Sequence, residues 1–339
     1  MRKMIKIFLI LIILINCTTS LGLPQFTIKK KQIKNHFYDS TQIPFPTSKA
    51  WIRAFGGTDN DFGRSVQQTI DGGYILTGYT ESFGKGNGDV WLIKTNGNGR
   101  KIWDKTLGGI DYDLGYSIQQ TTDGGYILIG VTCSYSAVST DVWLIKTDGN
   151  GDEIWNKTFG GKKVDEGMWV QQTIDGGYIL VGNTQSFGAG SFDIWLIKTD
   201  GNGDEIWNKT FGGTKFDVGY SVQQTTDNGY IITGITESFG AGKLDLWLIK
   251  TDANGYETWY RTFGGTQDDI GSSVQQTTDG GYIITGETSS FGSGKNDAWL
   301  IKTDNQGKSI TISFFNYLFE KLFQQFPKVF QVIRQLLLY

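Results

Sequence analysis

Histidine is all but missing from this 339-residue chain: His36 is the single one. That excludes a multi-histidine metal centre and leaves one imidazole for acid–base work. Cysteine is almost as scarce, with only Cys17 and Cys133, too few for a disulfide framework or a cysteine-rich zinc site. Proline occurs four times. Positive charge has no excess: 31 Lys and Arg face 34 Asp and Glu, for a net charge of -3. A strongly basic nucleic-acid binder is thereby excluded, and no nucleic-acid partner is expected. The central body lacks any apolar pattern with a helical period. What is abundant is glycine, at 47 residues, and tryptophan, at 11. Such a chain is folded and turn-rich rather than disordered. Its length allows one large or two ordinary domains.

The two ends are basic. Arg2, Lys3 and Lys6 precede Ile7 to Ile15, an unbroken apolar run. The run is shorter than the ~20 residues of a membrane-spanning helix and reads as the core of an export signal. The expected signal peptide is 1–20, with cleavage after Ser20 or Gly22, and 21–48 is a linker. Leu14-Ile15-Asn16-Cys17 also resembles a bacterial lipobox, which makes Cys17 a candidate lipidation site. Asn16 departs from the small residue that box requires. An uncleaved anchor is the remaining alternative. Removal of the signal leaves Cys133 alone, so no internal disulfide is expected.

The body is a repeat with a fixed period. Trp51, Trp103, Trp155, Trp207 and Trp259 are 52 residues apart, and so are Trp91, Trp143, Trp195, Trp247 and Trp299. Only Trp169 falls outside these two ladders. Each copy carries four strand signals. In the first copy they are Ser65–Thr69, Tyr74–Thr80, Asp89–Thr95 and Ile102–Thr106, separated by D-G-G and N-G-N-G turns. Four antiparallel strands in about 50 residues make one propeller blade. The strand carrying the first Trp ladder is offset, because Trp51–Phe55 precedes the first full copy. The expected fold is therefore all-β, a closed five-bladed β-propeller of four-stranded antiparallel blades over 49–311. In it the N-terminal strand Trp51–Phe55 completes the last blade, in competition with Ile310–Ser313.

The motif W-x-K-T-F-G-G, D-x-G-x-S-V-Q-Q-T-x-D-G-G-Y-I and D-x-W-L-I-K-T-D-x-N-G resembles the tandem β-propeller repeats of secreted bacterial and archaeal proteins, the SBBP-like group. The resemblance covers Lys49 to about Thr311. It implies a propeller outside the cytoplasm and carries no catalytic residues with it.

Several motifs invite a functional reading, and each has a structural one beside it. The Trp ladders suit packing between blades, with sugar stacking as the alternative. Asp148–Asp152 and Asp200–Asp204 resemble the start of a calcium loop, but the later loop positions do not match, and a hairpin turn accounts for all copies. Calcium is the one cofactor considered; none is otherwise implied. Thr69–Tyr74 weakly resembles a sialidase Asp box, again with a turn role. Asp61, Asp113, Asp165, Asp217 and Asp269 each begin a copy. They order a local turn or, as the competing metal reading, ring an axis and bind a cation. The Gln67-Gln68 pairs ladder between blades or line a channel. Asn156 and Asn208 lie in glycosylation sequons. Catalysis demands that one copy differ from the others. The outliers are Cys133, Tyr135, Lys162, Lys163, Met168 and Trp169, candidates for a binding site.

From 312 the pattern changes. Phe315, Leu318, Phe319, Leu322, Phe323 and Phe326 follow a helical spacing up to Pro327, and Val329, Phe330, Ile333, Leu336 and Leu337 resume it. Residues 312–339 read as a kinked, basic amphipathic helical tail suited to a membrane interface. Docking on the propeller and binding a partner are its alternatives. The sequence thus describes a secreted or cell-surface, extracytoplasmic binding scaffold that is more readily non-catalytic than an enzyme, with a protein or glycan partner. A glycan-active enzyme (glycosidase or lyase) with its site on the propeller axis is the alternative.

Overall fold

Each copy folds as an antiparallel meander because its turn chemistry falls where the chain must reverse. After the first strand, the backbone N–H of Thr69 donates to Gly73 O and that of Gly72 donates to Thr69 O. Gly72 has a φ of 77°, which only glycine adopts without strain. In the fourth copy Asn228 takes that place with a φ of 65°; asparagine tolerates it because its short polar side chain can hydrogen-bond locally. Asp71 locks the turn: its Oδ1 accepts the Thr69 hydroxyl and the Gly73 N–H. The D-G-N-G-D segments are the second kind of hairpin. Asp148 Oδ1 accepts the N–H groups of Asn150 and Asp152, a side-chain imitation of a backbone turn.

A computed structural model describes residues 50–136 and 138–309. The first sheet holds β1 (Asp61–Gln68), β2 (Tyr74–Thr80), β3 (Asp89–Thr95) and β4 (Lys101–Leu107). The second holds β5 (Asp113–Gln120), β6 (Tyr126–Thr132), β7 (Asp141–Thr147) and β8 (Glu153–Phe159). The third holds β9 (Asp165–Gln172), β10 (Tyr178–Thr184), β11 (Asp193–Thr199) and β12 (Glu205–Phe211). The fourth holds β13 (Asp217–Gln224), β14 (Tyr230–Thr236), β15 (Asp245–Thr251) and β16 (Glu257–Phe263). The fifth has three strands among the described residues: β17 (Asp269–Gln276), β18 (Tyr282–Thr288) and β19 (Asp297–Thr303). Within every sheet the strands are antiparallel and in chain order. The first strand of each copy starts four residues earlier than its sequence pattern suggests. A bulge after its glycine, as between Gly63 and Ser65, hides the alternation there.

The sheets pack face to face, and the core lies between them. Ile179, Val181, Ile194 and Leu196 of the third sheet meet Val222, Tyr230, Ile232, Trp247 and Ile249 of the fourth. The central W-L-I strands are buried on both faces, as sheets covered on both sides require. The inner Trp ladder from Trp91 to Trp247 is core. The outer ladder staples each sheet to the next: the Trp103 ring packs on Tyr126 and lies over Gly151. Glutamines clasp the same interfaces. Gln120 N–H donates to Gln67 Oε1 of the preceding sheet, and Gln120 Oε1 accepts the Ile70 N–H at 2.9 Å. The exchange recurs at the next three interfaces. All five innermost strands line one central cavity, the arrangement of propeller blades.

The seam differs from what the repeat suggests. Val222 is 1% exposed but its counterpart Val66 on β1 is 63% exposed. Leu300 on β19 is 69% exposed, whereas Leu92, Leu144, Leu196 and Leu248 are fully buried. The outward faces of the first and last sheets are thus uncovered among the described residues, and closure of the ring is not shown. Nor is Trp51–Phe55 paired with the last sheet among the described residues. It forms no strand; Trp51 packs edge-on against Tyr74, as Trp103 does on Tyr126, and its indole N–H donates to Gly97 O of the first sheet. At the other end Thr303 pairs with Ser309, in the register by which Thr95 pairs with Lys101. The expected signal peptide, Cys17, the linker and the tail 312–339 lie outside the described residues.

Candidate functional site

The five innermost strands converge on a cavity of about 240 Å³, lined by residues 65–67, 117–119, 169–171, 221–223 and 273–275. These are Ser, Gln, Val and Ile, with one Trp; none is charged. Four copies present serine at one lining position: Ser65, Ser117, Ser221 and Ser273. The third copy presents Trp169 there. Trp169 is 38% exposed. Every ladder tryptophan has an aromatic neighbour; among the described residues Trp169 has none.

Gln67, Gln119, Gln171 and Gln223 combine both roles that the sequence left open. Each uses its Oε1 to accept an N–H from the next sheet. Each also lines the cavity. Because the oxygen is taken, the amide orientation is set, and the NH₂ group is what remains for a ligand.

The other outliers do not join Trp169. Lys162 and Lys163 are exposed and precede β9, and the Lys163 N–H donates to Ser186 Oγ. Five residues separate Lys163 from Trp169, and the stretch of β9 from Asp165 to Trp169 alone spans roughly 13 Å. Met168 is the strand neighbour of Trp169. Cys133 and Tyr135 belong to the loop after β6. Tyr135 packs tilted against Trp143 and its hydroxyl donates to Gly108 O. Cys133 Sγ lies 3.5 Å from Thr140 Oγ1. The candidate binding set therefore divides into three separate places.

The five leading aspartates serve their own sheets. Asp113 accepts the hydroxyls of Thr132 and Ser134 and the Gly109 N–H. Asp61, Asp165, Asp217 and Asp269 repeat the pattern. At Asp61 burial disfavours the charge, but these hydrogen bonds outweigh it and hold the carboxyl below its usual range. Among the described residues no three His, Cys, Asp or Glu side chains form a group that could hold a metal ion. The sequon asparagines are also engaged. Asn156 and Asn208 accept the indole N–H of Trp143 and Trp195 and donate to Glu153 and Glu205.

Sequence reasoning missed a lysine ladder. Lys94, Lys146 and Lys198 have side chains only 5% exposed, each paired with the turn aspartate of its own sheet. Lysine inside an otherwise apolar W-L-I-K-T strand, always accompanied by D-G-G, was the available signal.

No family model matches the chain. A curated relative, the regulatory protein FlaEY of Caulobacter vibrioides, is 27% identical over 229 residues. The match covers 57% of this chain and 24% of that protein, so the chain spans about a quarter of that relative's length. Among solved structures, a protein of unknown function from Bacteroides caccae has a TM-score of 0.46 at 11% identity, covering 73% of this chain and 80% of its own. A putative exo-beta-1,3-galactanase from Bifidobacterium bifidum has a TM-score of 0.41 at 13% identity, with coverages of 74% and 90%. The endo-arabinase of Bacteroides thetaiotaomicron has 0.41 at 12%, with 71% and 93%. Nothing about activity passes from these proteins to this chain.

Proposed function

We propose that the chain is an exported, non-catalytic binding module that works at or outside the cell surface. The observation that carries the reading is where the copies differ. The one lining position at which a copy departs in side-chain class gains an aromatic surface, Trp169, rather than an acid or a base. Glycoside hydrolysis needs two carboxyl groups about 5–9.5 Å apart in a pocket, and no residue lining the central cavity has one. The described leading aspartates are committed to hydrogen bonds that recur copy after copy, which supports a structural use of the acidic side chains. Export is supported by the basic, apolar and small-residue order of 1–20. Residues 312–339 would hold the module at a membrane interface.

The module is tested by incubating the purified chain with a panel of oligosaccharides and following product formation. The expected outcome is no turnover; a reproducible rate abolished by replacing one carboxylate would overturn the non-catalytic reading. Export is tested by the N-terminal mass of the protein recovered outside the cytoplasm, expected to begin near residue 21. The tail is tested by flotation on anionic liposomes with and without 312–339, expected to differ.

A further inference from the structure

The cavity on the inner strands holds an unusual combination of groups. Its lining is uncharged, which disfavours an ionic ligand. Four glutamine amides there have their oxygens already occupied by backbone N–H groups of the adjacent sheet. Their NH₂ groups make no hydrogen bond with another described residue, and each has two protons to donate. Ser65 Oγ accepts the Ile118 N–H at 3.3 Å, so its own hydroxyl proton is also available. Donors thus approach the cavity from several sheets on rigid strands.

Trp169 adds the apolar element. It stands where four other copies carry serine, and it gains no aromatic packing in exchange. An indole left 38% exposed in a polar cavity is a flat, amphipathic surface without an internal partner. Its indole N–H also lacks a partner among the described residues. A ligand that matches this set is neutral, rich in hydroxyl oxygens, and has one flat face of C–H groups. That is the chemistry of a pyranose ring.

We propose that this cavity binds a neutral saccharide, with one sugar ring stacked on Trp169 and its hydroxyls held by the amides of Gln119, Gln171 and Gln223. The assignment rests on the binding-module reading and names its ligand class. The cavity volume of about 240 Å³ accommodates one ring with the rest of a chain outside, below the size range of sites that enclose a drug-sized ligand.

The test is titration calorimetry of the full chain with defined neutral mono- and oligosaccharides, in parallel with charged uronic and sialic acids, with reducing-end release measured on the same mixtures. Three proteins are compared: the unaltered chain, Trp169→Ser and Gln171→Ala. Trp169→Ser restores the residue found in the other copies, so its melting temperature is expected to stay unchanged. The expected result is binding of a neutral sugar near the millimolar range, weakened at least about tenfold by Trp169→Ser and measurably by Gln171→Ala, without release of product. No binding of any neutral sugar, preference for the acidic sugars, or equal binding by Trp169→Ser overturns the saccharide site and leaves the non-catalytic reading standing. Product release with binding lost in Trp169→Ser does the reverse: the saccharide site stands and the non-catalytic reading falls.

Discussion

Asp123 and Asp279 occupy the same turn position in different copies, yet their partners differ in burial. Lys146, paired with Asp123, has a side chain 5% exposed; Lys302, paired with Asp279, is 43% exposed. Removing the carboxylate therefore has unequal effects. Asp123→Ala strands a buried ammonium and is expected to cost about 2 kcal/mol, whereas Asp279→Ala leaves a lysine that water can solvate and is expected to change little. Denaturant midpoints of the two variants check this, and equal losses would count against it. The same pairs set the response to acid. At Asp123 burial opposes ionisation, but the Thr121 hydroxyl, Lys146 and the Gly125 N–H bring the carboxyl down to about 2. Hydrogen bonds from Thr277, Lys302 and Gly281 lower Asp279 as well, but that carboxyl is exposed to water, so screening leaves it little weight in the acid response. A carboxyl whose pKa is lower in the folded state contributes stability that is complete above its usual 3.8 and lost as pH falls toward the folded value. The melting temperature is thus expected to drop between about pH 4 and pH 2, less steeply in Asp123→Asn. A profile flat over that window would refute the linkage. Of this ladder only the D-G-G turn was legible in the sequence. The lysine burial was not, because it needs the neighbouring sheet.

Glycine shows how an element depends on its surroundings. In β13, a Cβ on Gly219 would lie 2.8 Å from Val181 Cγ2 and 2.9 Å from Ile194 Cγ2 of the preceding sheet. Gly63, its counterpart in β1, would meet nothing within 4 Å. Gly219→Ala is expected to destabilise by about 1–3 kcal/mol through overpacking, and Gly63→Ala to lie within about 0.5 kcal/mol of the unaltered chain. Equilibrium unfolding of the pair decides it, and a matching loss at Gly63 would mean that its side of β1 is covered. At this scale the sequence was informative. The Tyr74–Thr80 and Asp89–Thr95 strands emerge with the expected limits, since alternation, aromatic content and turn residues are local signals. Trp51–Phe55 carries the pattern of a fourth strand but is unpaired among the described residues, because pairing partners are chosen by distant chain segments. Trp169 was legible as an outlier. Its place in the central cavity, away from Lys162 and Lys163, was not.

Across the whole molecule, the five sheets show the same local sequence under unequal cover. Val222→Asp introduces a carboxylate into a fully covered interface and is expected to cost more than about 3 kcal/mol or to prevent folding. Val66→Asp meets solvent at the open face of β1 and is expected to cost less than about 1 kcal/mol. Thermal unfolding separates the two; a Val66→Asp variant as damaged as Val222→Asp would show that another surface covers the first sheet. The amino-acid order alone determined the strands, the two hairpin turns, the 52-residue unit and the tryptophans that glue one unit to the next. Those features depend on residues near one another along the chain, and repetition states each of them several times. Tertiary structure decided which copies of a residue are buried, why Lys302 differs from Lys146 and Val66 from Val222, and that Trp169 faces a cavity shared by all five inner strands. Burial is a property of a residue and its neighbour together, so nearly identical copies acquire different environments according to whether another sheet stands beside them.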